Sequence, residues 1–360
     1  MEPFKERIDA AAIDAIAAFV GGRWDRESFA RAALDGLHDL ELKARVDHVA
    51  DALRAHLPDT WPAALGHVLA DLPEAPDHTD ALTDQMGLWP VLACVERHGL
   101  AHPEPSLEAL ERLTPFWSAE FAVRPYFRDD PVAMVRWVDR WSTHPNVHVR
   151  RLASEGSRSR LPWGLRLQCR IDAPTALLPA LERLRDDPSP YVRRSVANHL
   201  NDIAKDHPDV VLDIARAWLP GPTERQKLVR HALRTLVKAG DPRALELLGV
   251  GPFAGDVRLE RAPSTVAVGG TLALTLALTA RRAQRVRVDY AIHHLRANGS
   301  RTPKVFHWTE RDLAAGETLV LTKAHPLREV STRRLYPGEQ AVDVRVNGQA
   351  TDPLPFVLHA

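Results

Sequence analysis

Along the first 250 residues, apolar positions recur at intervals of three and four, the spacing that lays one face of an α-helix against a core. Asp-Pro and His-Pro pairs punctuate these stretches. In DDPVAMVRWVDRW, Asp130 is placed to cap a helix and Pro131 to fill its first position, after which Met134, Trp137, Val138 and Trp141 share a face. Val210, Val211, Ile214, Ala215 and Trp218 repeat the pattern. At 249–255 (GVGPFAG) Gly and Pro cluster, and beyond them the spacing changes to alternation by two. Val257 with Leu259, 272–278, 286–292, 305–308, Leu319 with Leu321, 342–346 and 356–358 read as seven short strands. Turn signals at Gly269-Gly270, Asn298-Gly299, Pro337-Gly338 and Asn347-Gly348 separate them. The expected architecture is an all-α part over 1–250 and an all-β sandwich of Ig-like type over 251–360, without the inter-sheet cysteine pair of antibody domains.

The helical part also repeats itself. HPNVHVRRLASEG, from His144, aligns with DPSPYVRRSVANH, from Asp187, at a spacing of 43 residues that sets Arg150 and Arg151 opposite Arg193 and Arg194. A weaker third copy, LVRHALRTLVKAGDP, puts Val229 37 residues after Val192. These are HEAT-like periods, and they predict a right-handed solenoid of helix pairs whose neighbours bury each other's apolar faces and leave a concave surface for an extended ligand.

Composition narrows the function class. With 45% hydrophobic and 26% charged residues over 360 positions, the chain is globular rather than disordered. Its longest weakly polar run, Thr271–Ala280, is far short of the roughly 20 residues that cross a bilayer. The start, MEPFKERIDA, lacks the basic and apolar regions of an export signal. Cys94 and Cys169 are the only cysteines, which excludes a disulfide framework and a cysteine zinc site and predicts a cytoplasmic setting. The zero net charge hides an asymmetry: 1–110 carry 9 basic and 20 acidic side chains, 111–250 carry 23 and 17, and 251–360 carry 15 and 10. The later two segments therefore suit a polyanion such as nucleic acid.

The densest chemistry lies in RRLASEGSRSRLPWG and the residues just after it, where Arg150, Arg151, Arg158, Arg160, Arg166 and Arg170 face the single acid Glu155. Arginine forks match phosphate oxygens bidentately; the same residues would equally serve as a helix face paired with neighbouring acids. Trp163 is either an exposed aromatic platform or a core plug. Glu120 has Arg124 four residues on, and Asp202 has Lys205 three residues on, so each could be part of a helix ion pair. His293 and His294 would point to opposite faces of a strand, and no third ligand has matching spacing, so neither metal nor cofactor is expected. No Gly-rich phosphate loop, nucleophile elbow or Cys-His arrangement is present.

SEGSRSRLPWG (154–164), YVRRSVANHLNDIAKDHPDVV (191–211) and RHALRTLVKAGDPRALELLG (230–249) resemble the HEAT-like-repeat DNA glycosylases of the AlkC type, relatives of AlkD. VDYAIHHLRANGSRTPKVFHW and LYPGEQAVDVRVNG resemble the Ig-like module of one branch of that family. The resemblance implies a monomeric enzyme of base excision repair that acts on double-stranded DNA. It would release cationic alkylated bases, 3-methyladenine and 3-methylcytosine, without flipping them into a pocket. It also implies that Glu120 and Asp202 are catalytic acids and that Trp163 is the aromatic residue of the LPW motif; His199 stands where the family's NLND-like motif has Asn. Physical chemistry agrees, since a cationic base leaves without a general acid and a carboxylate is left to stabilise the sugar and orient water. For DNA binding we nominate Arg150, Arg151, Arg158, Arg160, Arg193 and Arg194 in the helical part, with Arg296, Lys304, Arg333 and Arg334 in the sandwich. A non-catalytic HEAT-repeat scaffold that binds DNA or protein through the same arginines is the rival.

Overall fold

Short polar residues set before proline begin the helices, as the spacing predicts. In the computed structural model, which describes residues 3–76, 85–329 and 334–360, the Asp130 carboxylate accepts from the backbone N–H of Val132 and Ala133 and starts the helix Pro131–Ser142. Met134, Trp137, Val138 and Trp141 are all buried on its inner face. Asn146 caps Val147–Glu155 and Ser189 caps Pro190–Ile203, each accepting from the N–H two residues on. Such a cap contributes about 1 kcal/mol. These two helices pack side by side, and the second packs on Thr223–Ala232, which carries the third copy of the repeat. Among the described residues before Gly255, all regular structure is helical.

The repeat is visible in individual bonds. Arg150 Nη1 donates to the carbonyls of His144 (3.0 Å) and Pro145 (2.6 Å). Arg193 Nη1 donates to those of Asp187 (2.6 Å) and Pro188 (2.9 Å), which are the equivalents 43 residues later. Each arginine thus ties down the loop before its own helix. Arg150 then pairs with Asp187 at 2.6 Å, and Arg193 with Glu224 at 3.1 Å, so each also links its repeat to the next.

The strands are β1 (Gly255–Ala262), β2 (Thr265–Ala267), β3 (Thr271–Ala280), β4 (Gln284–Leu295), β5 (Arg301–Leu313), β6 (Thr318–Pro326), β7 (Gly338–Val346), β8 (Gln349–Ala350) and β9 (Leu354–His359). All seven expected strands are present; β2 and β8 are too short to show alternation. One sheet has the order β1-β3-β6 and the other β2-β9-β7-β4-β5, with β8 on β7. Leu272, Leu274, Leu276 and Leu278 point from β3 into a core shared with Val286, Val288, Ile292, Val344 and Phe356. Fully burying a side chain of this kind contributes roughly 1.5–3 kcal/mol, which makes alternation the decisive signal here. Asn347 and Gly348 both have positive φ (50° and 83°), the conformation a tight β-hairpin demands.

Secondary structure changes between Leu247 and Gly255. Compactness divides the chain differently: one unit comprises the residues up to 207 with 221–232, and the other 208–220 with 233–360. Within the second unit the late helices are tied to the β7–β8 hairpin. Asn347 Nδ2 donates to the Gly251 carbonyl at 2.7 Å, and a Cβ on Gly240 would sit 2.8 Å from the Gly348 carbonyl oxygen. No helix among the described residues is long and apolar enough to cross a membrane.

Candidate active site

Glu120 lies in the turn between the helices Pro103–Leu113 and Arg124–Asp129 rather than on a helix. Its partner is not Arg124. Glu120 Oε2 accepts from Ser118 Oγ at 2.9 Å and from Arg151 Nη1, which also donates to Ser118 Oγ at 2.8 Å. Arg151 reaches this turn from the helix Val147–Glu155, where Glu155 follows one turn later; Arg151 Nη2 stands 3.5 Å from Glu155 Oε1. Arg158 Nη1 donates to Glu155 Oε1 at 2.6 Å, and Ser195 Oγ donates to Glu155 Oε2 at 2.6 Å. Arg158 Nε then donates to Asp202 Oδ2 at 2.8 Å, and Lys205 Nζ donates to Asp202 Oδ1 at 2.8 Å. The result is a chain of alternating charge: Glu120, Arg151, Glu155, Arg158, Asp202, Lys205.

Burial makes this chain costly unless each member is paired. The Asp202 side chain is 1% exposed and both its oxygens are engaged. Glu120 is 15% exposed, and Oε1 accepts no hydrogen bond among the described residues. Burial alone would push the Glu155 carboxyl up; Arg151 and Arg158 outweigh it and hold the pKa below the usual range. Burial likewise opposes the charge of Arg158, but Glu155 and Asp202 hold its pKa above normal. His199 is fully buried one turn before Asp202, and burial takes its pKa down to about 4. Its Nδ1 lies 3.0 Å from the Ser154 carbonyl, so the neutral ring carries its proton on that nitrogen.

Beside this chain stands the LPWG turn. Trp163 is 58% exposed, a platform and not a core plug. Its φ of 65° is left-handed, a conformation that costs a side-chain-bearing residue roughly 1–2 kcal/mol. Lys43 Nζ donates to the Trp163 carbonyl at 2.5 Å, and Phe4 meets the indole edge-on at 5.8 Å. Arg124, wholly buried beneath the turn, donates from Nε to the Leu165 carbonyl at 2.5 Å and from Nη1 to the Gly156 carbonyl at 3.0 Å. A Cβ on Gly164 would lie 3.0 Å from Arg124 Nε, a tight contact that would press on the buried guanidinium.

The six nominated arginines of the first unit separate into three groups. Arg151 and Arg158 are enclosed with carboxylates in the charge chain, which compensate their burial; in this structure they do not face solvent as phosphate contacts would. Arg150, Arg193 and Arg160 are partly exposed but paired, with Asp187, Glu224 and Asp206 respectively. Arg194 is exposed and makes no ion pair among the described residues. In the second unit, Arg296, Lys304 and Arg334 line one groove of about 660 Å³, with Arg334 over the Tyr336 ring. Arg333 lies outside the described residues. Sequence reasoning missed Glu155 as a site residue, although its solitude among six arginines was the available signal, and missed Lys43 and Arg124 as supports of the Trp163 turn. No group of three or more His, Cys, Asp or Glu among the described residues could hold a metal ion.

Three comparisons bear on this geometry. Residues 256–360 match the family described as "Uncharacterised protein YhaZ, C-terminal Ig-like domain". The protein is 39% identical over 326 residues to "Uncharacterized protein YhaZ" of Bacillus subtilis strain 168, covering 90% of this chain and 89% of that one. It is also similar to a solved structure, the Pseudomonas fluorescens alkylpurine DNA glycosylase AlkC bound to DNA containing an abasic site analog. There the identity is 36% and the TM-score 0.89, with all of both chains covered.

Proposed function

Because this chain belongs to the AlkC-type family of HEAT-like-repeat proteins, in the branch with a C-terminal Ig-like domain, we propose that it is a DNA glycosylase for alkylated bases. Its substrates are small cationic lesions in duplex DNA, 3-methyladenine and 3-methylcytosine foremost. The observation that carries this reading is the arginine-linked chain of carboxylates that ends on Glu120 with one oxygen unengaged, beside an exposed aromatic on a strained turn. Enzyme sites hold such strain when the surroundings over-determine it.

Chemistry then assigns the roles. The C1′–N bond breaks with its electron pair going to the base nitrogen, which neutralises the base. Positive charge builds on the sugar, and a water oxygen adds to C1′ while its proton passes to a carboxylate. Glu120 Oε1 is the acceptor available for that proton, and the Glu120 charge stabilises the sugar. Asp202, with both oxygens occupied, holds Arg158 and through it Glu155. Trp163 offers its face to the same sugar, where cation–π attraction favours the developing charge. Residues 1–250 form the glycosylase domain in this reading. Residues 251–360 add contacts to the duplex through the groove of Arg296, Lys304 and Arg334, offsetting the cost of holding the DNA bent. The enzyme acts as a cytoplasmic monomer on DNA.

The direct test incubates the protein with methylated duplex DNA and separates freed bases by chromatography. Released 3-methyl bases are expected. DNA binding without release at any enzyme concentration returns the protein to the scaffold reading.

A further inference from the structure

Behind Trp163 lies a cavity of about 220 Å³ that the mechanism above does not use. Its walls include Trp89, Phe121 and Trp163, with Glu96, Asp47 and Lys43. Trp89 and Phe121 are stacked, their centroids 5.1 Å apart and their planes 24° from parallel. An engineered apolar cavity of about 150 Å³ holds benzene, so this one has room for a larger planar ring system. The cations on its rim are already engaged: Lys43 by the Trp163 carbonyl, and Arg97 bidentately by Asp51 at 2.9 and 2.7 Å. Glu96 is different. No hydrogen bond reaches its carboxyl among the described residues, and burial, aided by Asp47, pushes its pKa up to about 7. A half-buried carboxyl with no protein partner, set among aromatic faces, suits a ligand that stacks and also donates.

We infer that this cavity receives the excised base, a free N-alkylated adenine or cytosine ring, which stacks against the aromatic walls and sets the edge formed by its exocyclic amino group and ring nitrogen against the Glu96 carboxyl. The inference rests on the glycosylase reading, because the ligand is that reaction's product. A carboxylic acid at Glu96 donates to the ring nitrogen of a neutral base and accepts from its amino group; a carboxylate accepts two hydrogen bonds from a protonated base. A group that changes state near neutral pH serves both forms. Trp163 borders the cavity and is itself solvent-exposed, so the site opens beside the turn assigned to the sugar.

The test titrates the full-length protein with free 3-methyladenine, followed by ligand-observed NMR and by inhibition of excision. Saturable binding is expected in the wild type. Glu96→Met, which keeps the volume, and Glu96→Ala should each weaken it about 10-fold or more, the size of a hydrogen bond to a charged group. Glu96→Gln, whose amide also offers one donor and one acceptor, should retain neutral-base binding. Single-turnover excision should stay at the wild-type rate in all three. Equal affinity in wild type, Glu96→Met and Glu96→Ala overturns the inference, as does a Gln variant as weak as Met. Absence of base release by the wild-type protein overturns instead the glycosylase reading, and the two assays are separate.

Discussion

The two clear repeats differ at one position that decides what each can do. Both begin with a capped helix and an Arg-Arg pair, and in both the first arginine bonds the carbonyls six and five residues before it and pairs with an acid of the next repeat. The second arginine diverges. Arg151 turns inward to Glu120 and Glu155, whereas Arg194 stays exposed. The position of Glu155 in the later repeat, 43 residues on, is Asn198. An uncharged amide cannot compensate a buried guanidinium, so in that repeat the arginine remains at the surface. The repeat frame therefore supplies architecture twice and a candidate active site once, and the difference rests on the two carboxylates, Glu120 and Glu155, that meet Arg151.

The largest effect should come from the two ends of the charge chain, Glu120 facing the proposed sugar and Asp202 holding Arg158 from within. Glu120→Gln and Asp202→Asn are each expected to slow single-turnover excision by about 10²–10³-fold, the range of one preorganised electrostatic group. DNA affinity should barely change, because neither acid attracts phosphate. Quench-flow sampling with chromatography of the freed base measures the rate. Wild-type excision by both variants would detach the chain from catalysis and leave it as a link between helices.

His199 sharpens the contrast through pH. It is buried between the two repeats' helices, with a pKa of about 4 in the folded state and about 6.5 when unfolded. Between those values the unfolded chain binds a proton that the native protein refuses. Stability is therefore intact above about pH 6.5 and falls as pH drops towards 4, by about 3 kcal/mol in all from this one group. Urea midpoints for the wild type and His199→Asn across pH 4–7.5 should converge on acidification, the variant lacking one proton's worth of slope. Parallel curves would mean that the ring is protonated in the fold.

Arg150→Ala tests the architectural half. Losing two carbonyl bonds and stranding Asp187 should cost about 2 kcal/mol of stability while leaving the salt dependence of DNA binding unchanged. A reduced salt slope with full stability would reverse that assignment and restore Arg150 as a phosphate contact.

Much of this is legible in the sequence alone. Wherever one face is buried, period declares it: the β3 leucines alternate, and Met134, Trp137, Val138 and Trp141 recur at helical spacing. The 43-residue similarity identified Arg150 and Arg193 as equivalents without saying what they bond, because their partners are carbonyls and an acid of the following repeat. Pairing across 31 to 44 residues, as in Arg151 to Glu120 or Arg158 to Asp202, has no periodic trace. Helix spacing instead suggested Arg124 for Glu120, and Arg124 proves to be a buried prop for the Trp163 turn. Glu96 left no mark either, since its significance lies in the aromatics that surround it in space.

The smallest effect belongs to Arg194, and it separates the two repeats most directly. An exposed, unpaired guanidinium contributes little to stability, so Arg194→Ala should leave the urea midpoint where it is. If Arg194 meets a phosphate, the substitution removes about one released counterion, and the slope of log affinity against log salt should fall by about one unit whatever the DNA sequence. Arg151→Ala, its repeat equivalent, should do the reverse: it strands Glu120 and Glu155, destabilises the fold and slows excision, with the salt slope preserved. Fluorescence anisotropy across a salt series, run beside urea unfolding, reads both quantities on the same preparations. An unchanged slope for Arg194→Ala would return that arginine to the solvated surface and leave the groove of Arg296, Lys304 and Arg334 as the main candidate for phosphate contact.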